Sequence, residues 1–132
     1  MLYIQKEGKT LHIVEAHKAY VMHGSLEAFL NARLKQELTT LQGRQSVLKH
    51  YAPNRYLVPL YINATEVYLF TRPKRAMHTV LLNTVRIISV EAHPHGAHIL
   101  FDQGTSLTLP ENPTRLKRRW MESLHFTQKL KH

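Results

Sequence analysis

No cysteine occurs in the 132 residues, which excludes a disulfide scaffold, a thiolate zinc site and a cysteine nucleophile together. Glycine is sparse as well. Its five copies, at 8, 24, 43, 96 and 104, stand singly, so no Gly-rich loop is available to cradle a phosphate. Neither G-x-S-x-G nor His-Glu-x-x-His occurs, and no spacing singles out a pair among the nine dispersed acids for acid–base work. No apolar run reaches 18 residues, and Met1 to Glu7 lacks the charged-then-apolar order of a signal peptide. The chain therefore reads as cytoplasmic, without membrane contact, and as a non-enzyme with no cofactor motif.

What is present has the size and texture of one domain spanning 1–132, long enough to bury a core without staples. Three short apolar bursts, Leu2 to Ile4, Leu11 to Val14 and Ala19 to Met22, are separated by polar turns and predict an antiparallel meander. Ser25 then stands as an N-cap before the stripe Leu26, Phe29, Leu30, Leu34, Leu38 and Leu41, which ends at Gly43. Cap, stripe and terminal glycine predict a helix at about 26–41, with Arg33, Lys35, Gln36 and Glu37 on its solvated side. Extended texture follows at 46–49, 57–62, 66–70, 79–82, 85–90, 97–101 and 106–109. Asp102-Gln103-Gly104-Thr105 reads as a hairpin loop between the last two. Asn112-Pro113 resembles a cap with proline at the first helical position, opening a helix at about 113–126 whose apolar side is Leu116, Trp120 and Leu124. The fold class is α+β, mainly antiparallel sheet with one helix before and one after the larger strand block.

The second strong signal is charge. Eighteen Lys and Arg against nine acids leave a formal +9, which points to an anionic partner. Residues 43–86 hold seven of the bases and a single acid. Within them Arg72-Pro73-Lys74-Arg75 follows the expected strand ending at Phe70, where proline forces the chain out of the ladder. A basic loop projecting from a sheet edge is suited to phosphates or to a groove. Arg115, Lys117, Arg118 and Arg119 form a second cluster near the start of the last helix, where cations oppose the helix dipole unless an anion is bound. Lys49 lies in the same acid-poor third. Among ten histidines, His93-Pro94-His95-Gly96-Ala97-His98 alone has metal-ligand flavour, but Pro94 and Gly96 mark it as a polar turn.

The order of several segments resembles the competence transcription factor (ComK) family. Gly43-Arg44-Gln45 precedes Val58-Pro59-Leu60-Tyr61-Ile62 and Val67-Tyr68-Leu69-Phe70-Thr71, and Leu81-Leu82-Asn83-Thr84-Val85-Arg86-Ile87, Ile99-Leu100-Phe101, Gly104 and Leu107-Thr108-Leu109-Pro110 continue it. The resemblance covers roughly residues 25–125 and departs from the family pattern at Phe70-Thr71-Arg72-Pro73, where Phe-Pro-Thr is expected, and at Leu81-Leu82, where a Trp is expected. It implies a sequence-specific DNA-binding activator that reads AT-rich promoter boxes through the minor groove as a homo-oligomer, with a proteolytic adaptor protein as a further partner. Of the matched positions Gly43, Arg44, Pro59 and Phe70, only Arg44 has chemistry suited to DNA. Added to the basic residues read from charge alone, the candidate DNA contacts are Arg44, Lys49, Arg72, Lys74, Arg75, Arg115, Lys117, Arg118 and Arg119. The alternative is a protein-interaction module of the same fold that does not bind DNA.

Overall fold

The computed structural model describes residues 1–50 and 58–130. Three strands open the chain, β1 (Tyr3–Glu7), β2 (Thr10–Val14) and β3 (Ala19–His23). Gly8 takes a left-handed φ of +61° at the first position of the two-residue β1–β2 turn, the conformation that such a tight hairpin demands. Two helices follow, α1 (Leu26–Lys35) and α2 (Leu41–Leu48), and then β4 (Leu60–Asn63), β5 (Glu66–Phe70) and β6 (His78–Asn83). Because β6 returns to pair with β1, these strands complete a six-stranded sheet in the order β3-β2-β1-β6-β5-β4, every pair antiparallel. A second antiparallel sheet of β7 (Ile87–His93), β8 (Gly96–Phe101) and β9 (Ser106–Leu109) precedes α3 (Pro113–Leu130).

Strand alternation divides the core between the two faces of the large sheet. Ile4, Leu11, Ile13, Tyr68, Phe70 and Leu81 pack with Leu26, Leu30 and Leu34 of α1 and Leu41 and Leu48 of α2. Leu69 and Leu82 join Val90, Ile99 and Phe101 of the small sheet and Leu116 and Trp120 of α3. All five residues of β5 are buried, so this strand is the floor shared by both clusters. Truncating a fully buried leucine here, such as Leu30, costs about 2–5 kcal/mol.

A buried polar hub fixes α3 to that floor. The Asn83 amide donates to the carbonyls of Met1 (2.8 Å) and Thr65 (3.0 Å) and accepts from the Val67 N–H (3.2 Å). The Thr84 hydroxyl donates to the Val67 carbonyl at 3.0 Å, and the Trp120 indole N–H donates to the Thr84 carbonyl at 3.0 Å. Every buried polar group at this junction is thereby paired, which is the condition for placing polar side chains in a core.

The α+β class, the opening meander and the C-terminal helix match the expectations. The long helix at 26–41 does not. α1 stops at Lys35, Leu38 adopts a left-handed φ of +58° and stands 96% exposed, and α2 starts afresh with the Thr40 hydroxyl accepting from the Gly43 N–H at 3.1 Å. Leu38 breaks the buried stripe, and Gly43 lies inside α2 rather than beyond a helix end. Residues 46–48, expected as strand, are helical for the same reason. α3 continues past 126 to Leu130, where Phe126 and Leu130 reach the first cluster. The expected hairpin between β8 and β9 is present, with both Gln103 (φ +66°) and Gly104 (φ +87°) left-handed. Leu57, the expected start of a strand through Ile62, lies outside the described residues. Among the described residues no helix is long and apolar enough to cross a membrane.

Candidate nucleic-acid interface

Arg72-Pro73-Lys74-Arg75 occupies the connection from β5 to β6. These strands lie inside the large sheet, so the loop leaves the sheet's end and not its lateral edge, as the position of proline had implied. Its shape is over-determined. Thr79 Oγ1 accepts from the Arg72 N–H at 3.1 Å and donates to the Arg72 carbonyl at 2.9 Å, while the Ala76 N–H closes a turn on the Pro73 carbonyl at 2.9 Å. The β1–β2 hairpin clasps it from outside, with the Gly8 N–H donating to the Met77 carbonyl at 2.7 Å and Lys6 Nζ to the Lys74 carbonyl at 2.9 Å. Held at Arg72, Pro73, Lys74, Ala76 and Met77, the loop presents its cations from a set position, which lowers the ordering cost of a contact.

A groove lies on each side of this loop. The first, about 280 Å³, is lined by Gln45 and Lys49 of the α2 end, by Val58 and Phe70, and by Pro73, Lys74 and Arg75. The second, about 310 Å³, runs from Lys74 and Arg75 to Lys6, Gly8 and Lys9 of the first hairpin and to Ser25, Leu26 and Glu27 at the start of α1. Lys74 and Arg75 form the wall between the two. Among the described residues, five cations thus line the two adjoining grooves against one carboxylate, Glu27. The start of α1 adds its own partial positive charge, with the Ser25 hydroxyl capping the Ala28 N–H at 3.0 Å.

The single acid of residues 43–86 does not weaken this field. Glu66 is buried, hydrogen-bonded by the Arg33 guanidinium from α1 and by the Tyr68 hydroxyl at 2.8 Å. Arg33, expected on the solvated side of its helix, is therefore a half-buried counter-ion to Glu66. Burial, with the Glu66 carboxylate alongside, holds the Tyr68 phenol far above its ordinary range.

Of the nine expected contacts, the structure brings together Lys49, Lys74 and Arg75. Arg72 turns the other way and pairs with Glu111 at 3.4 Å. Arg119 donates to the Phe70 carbonyl beneath the first groove, and burial there lowers its pKa. It is a strut between α3 and β5, because its neighbour Trp120 anchors the same helix turn to Thr84. Arg44 lies over the Tyr61 ring, 6.0 Å from its centroid, a cation–π contact within the fold. Arg115, Lys117 and Arg118 are exposed on the first two turns of α3 but line neither groove. The Asn112 side chain caps that helix through the Arg115 N–H at 2.9 Å. Lys6 and Lys9 were missed, since the first 42 residues balance five bases with four acids. Gly8 was the usable signal, for a glycine turn between β1 and β2 places both lysines at one sheet end.

Three of the ten histidines, His93, His95 and His98, gather at the β7–β8 hairpin. The His93 ring lies 5.5 Å from that of His95 and 6.0 Å from that of His98, and its Nδ1 accepts from the His95 N–H at 3.1 Å. That acceptor role puts the proton of a neutral His93 on Nε2, the nitrogen that a metal would need bare. Among the described residues no group of three or more acids and histidines is arranged to hold a metal ion. No protein-family model, curated protein or solved structure matches the chain.

Proposed function

We propose that the protein is a DNA-binding transcriptional regulator of the competence-activator kind, gripping AT-rich duplex DNA through the cationic grooves that flank the β5–β6 loop. The observation that carries this reading is the convergence of Lys9, Lys49, Lys74 and Arg75, from three separate stretches of sequence and with Lys6 held on the Lys74 carbonyl, around two grooves whose described lining holds one carboxylate, Glu27. Phosphates set most of the affinity of such an interface, and an arginine on a projecting loop is suited to the narrow minor groove of AT-rich sequence. The resemblance in residues 25–125 supports the same reading and adds a homo-oligomer and a proteolytic adaptor as proposed partners.

The test is a titration of fluorescent AT-rich and GC-rich duplexes at salt from about 50 to 200 mM. Affinity should fall steeply with salt, and the AT-rich duplex should bind tighter at every concentration. Equal affinity for both sequences reduces the protein to a non-specific binder. No binding to either near physiological salt leaves the same fold as a protein-interaction module.

A further inference from the structure

Strand β3 is one edge of the six-stranded sheet, and among the described residues no strand pairs with its outer side. Its residues, Ala19, Tyr20, Val21, Met22 and His23, pair with β2 in an unbroken five-residue register, and Val21 and Met22 are 51% and 40% exposed. An edge strand offers a row of unpaired N–H and C=O groups, and monomeric proteins block it with charges, proline, bulges or a covering element. The other edges here carry such blocks. β4 is bulged between Tyr61 and Asn63 and lies against α2; β7 is bulged between Ile87 and Ser89 and packs beside α3; β9 has four residues and runs into Pro110. β3 has neither bulge nor proline, and it contains no Lys, Arg, Asp or Glu. Lys18, just before it, is occupied by Glu15 at 3.4 Å and by the Tyr20 ring.

We infer that β3 is a dimerisation edge, pairing antiparallel with β3 of a second copy of this chain. A two-fold axis at Val21 gives the register that pairs all five residues. It sets Val21 against Val21, Tyr20 against Met22 twice and Ala19 against His23 twice. No like charges meet, and each Tyr20 ring, already half-buried on the α1 side, receives a methionine thioether, a favourable sulfur–aromatic contact. The product is one continuous sheet of twelve strands, six from each copy. Because the axis stands normal to that sheet, the helix-covered faces of both copies lie on the same side. The pairing is independent of nucleic acid and needs none to form.

Sedimentation velocity over a concentration series, in DNA-free buffer with the full chain, should show a shift from one-chain to two-chain mass. Val21→Lys, which sets two ammonium groups face to face at the axis, should hold the chain at one-chain mass throughout while leaving its circular dichroism unchanged. Since the protein has no cysteine, Val21→Cys introduces a lone thiol whose Cβ would stand about 5 Å from its mate. On oxidation it should form on the order of tenfold more covalent dimer than Val47→Cys, an exposed control on α2. One-chain mass at the highest soluble concentration overturns the inference, as does equal cross-linking of the two cysteine variants. Should Val21→Lys fail to fold, the cysteine pair still decides.

Discussion

The Arg33 guanidinium of α1 donates to the Glu66 carboxylate of β5, and this one contact both docks a helix on the sheet and withdraws from the surface the only acid of residues 43–86. Folding thus sharpens the charge asymmetry of the sequence. Lys49, Arg72 and Arg75 of the middle third are exposed, while Glu66 is enclosed with Arg33 and Tyr68.

Removing one partner of that ion pair leaves a charge in a site with few alternatives. Arg33→Met should destabilise the fold by about 2–3 kcal/mol, measured by urea unfolding, because Glu66 would keep only its Tyr68 bond. Combining it with Glu66→Leu should recover much of the loss. Strictly additive losses would mean that the two side chains do not act as a pair.

The phenol of Tyr68 gives the pair a signature at high pH. Its pKa is raised first by burial, then by the charge and hydrogen bond of Glu66. In the unfolded chain the group ionises near its ordinary value of about 10, while in the native state it keeps its proton. Above that pH the native state therefore holds more protons than the unfolded one, and stability must fall as pH rises. Urea midpoints should decline above about pH 9, whereas below about pH 8 the half-buried Met1 amino group, whose pKa desolvation lowers, adds stability as pH rises. Tyr68→Phe should shallow the decline, leaving the smaller contribution of Tyr3, whose pKa burial also raises.

Gly96 opens β8 at φ +134°, and a Cβ there would run into the backbone carbonyl of Leu109 on β9. Gly96→Ala should cost about 2–4 kcal/mol by thermal or urea unfolding. Gly104→Ala, also left-handed but facing open space, should cost about 1 kcal/mol. Comparable losses would mean that strain alone, and not contact with β9, sets the requirement at Gly96.

Periodicity and caps made most elements legible. Ser25 and Asn112 cap the helices they were expected to cap, and turn chemistry located the meander and the Gly104 hairpin. The 26–41 helix misled because Leu38 and Leu41 continue the apolar spacing, although the chain reverses at Leu38. Nothing local distinguishes a leucine that faces solvent from one that faces the core. The interface was half legible. Lys49, Lys74 and Arg75 stood out through the charge count, whereas Lys6 and Lys9 join them only through the non-local β1–β6 pairing. Arg72 and Arg119 share the local sequence of their clusters, yet Glu111 and the Phe70 carbonyl, both distant in sequence, claim them.

The central claim is that the grooves flanking the β5–β6 loop meet phosphates. The salt dependence of duplex affinity tests it most directly, comparing the native chain with Lys49→Gln/Lys74→Gln/Arg75→Gln and with Arg115→Gln/Lys117→Gln/Arg118→Gln. Each variant removes three charges, so loss of net charge alone affects both alike. The groove variant should lower the slope of log affinity against log salt by about 2–3 units, and the α3 variant by less than about one. An unchanged slope in the groove variant, or a larger loss in the α3 variant, contradicts the assignment of the interface to this loop.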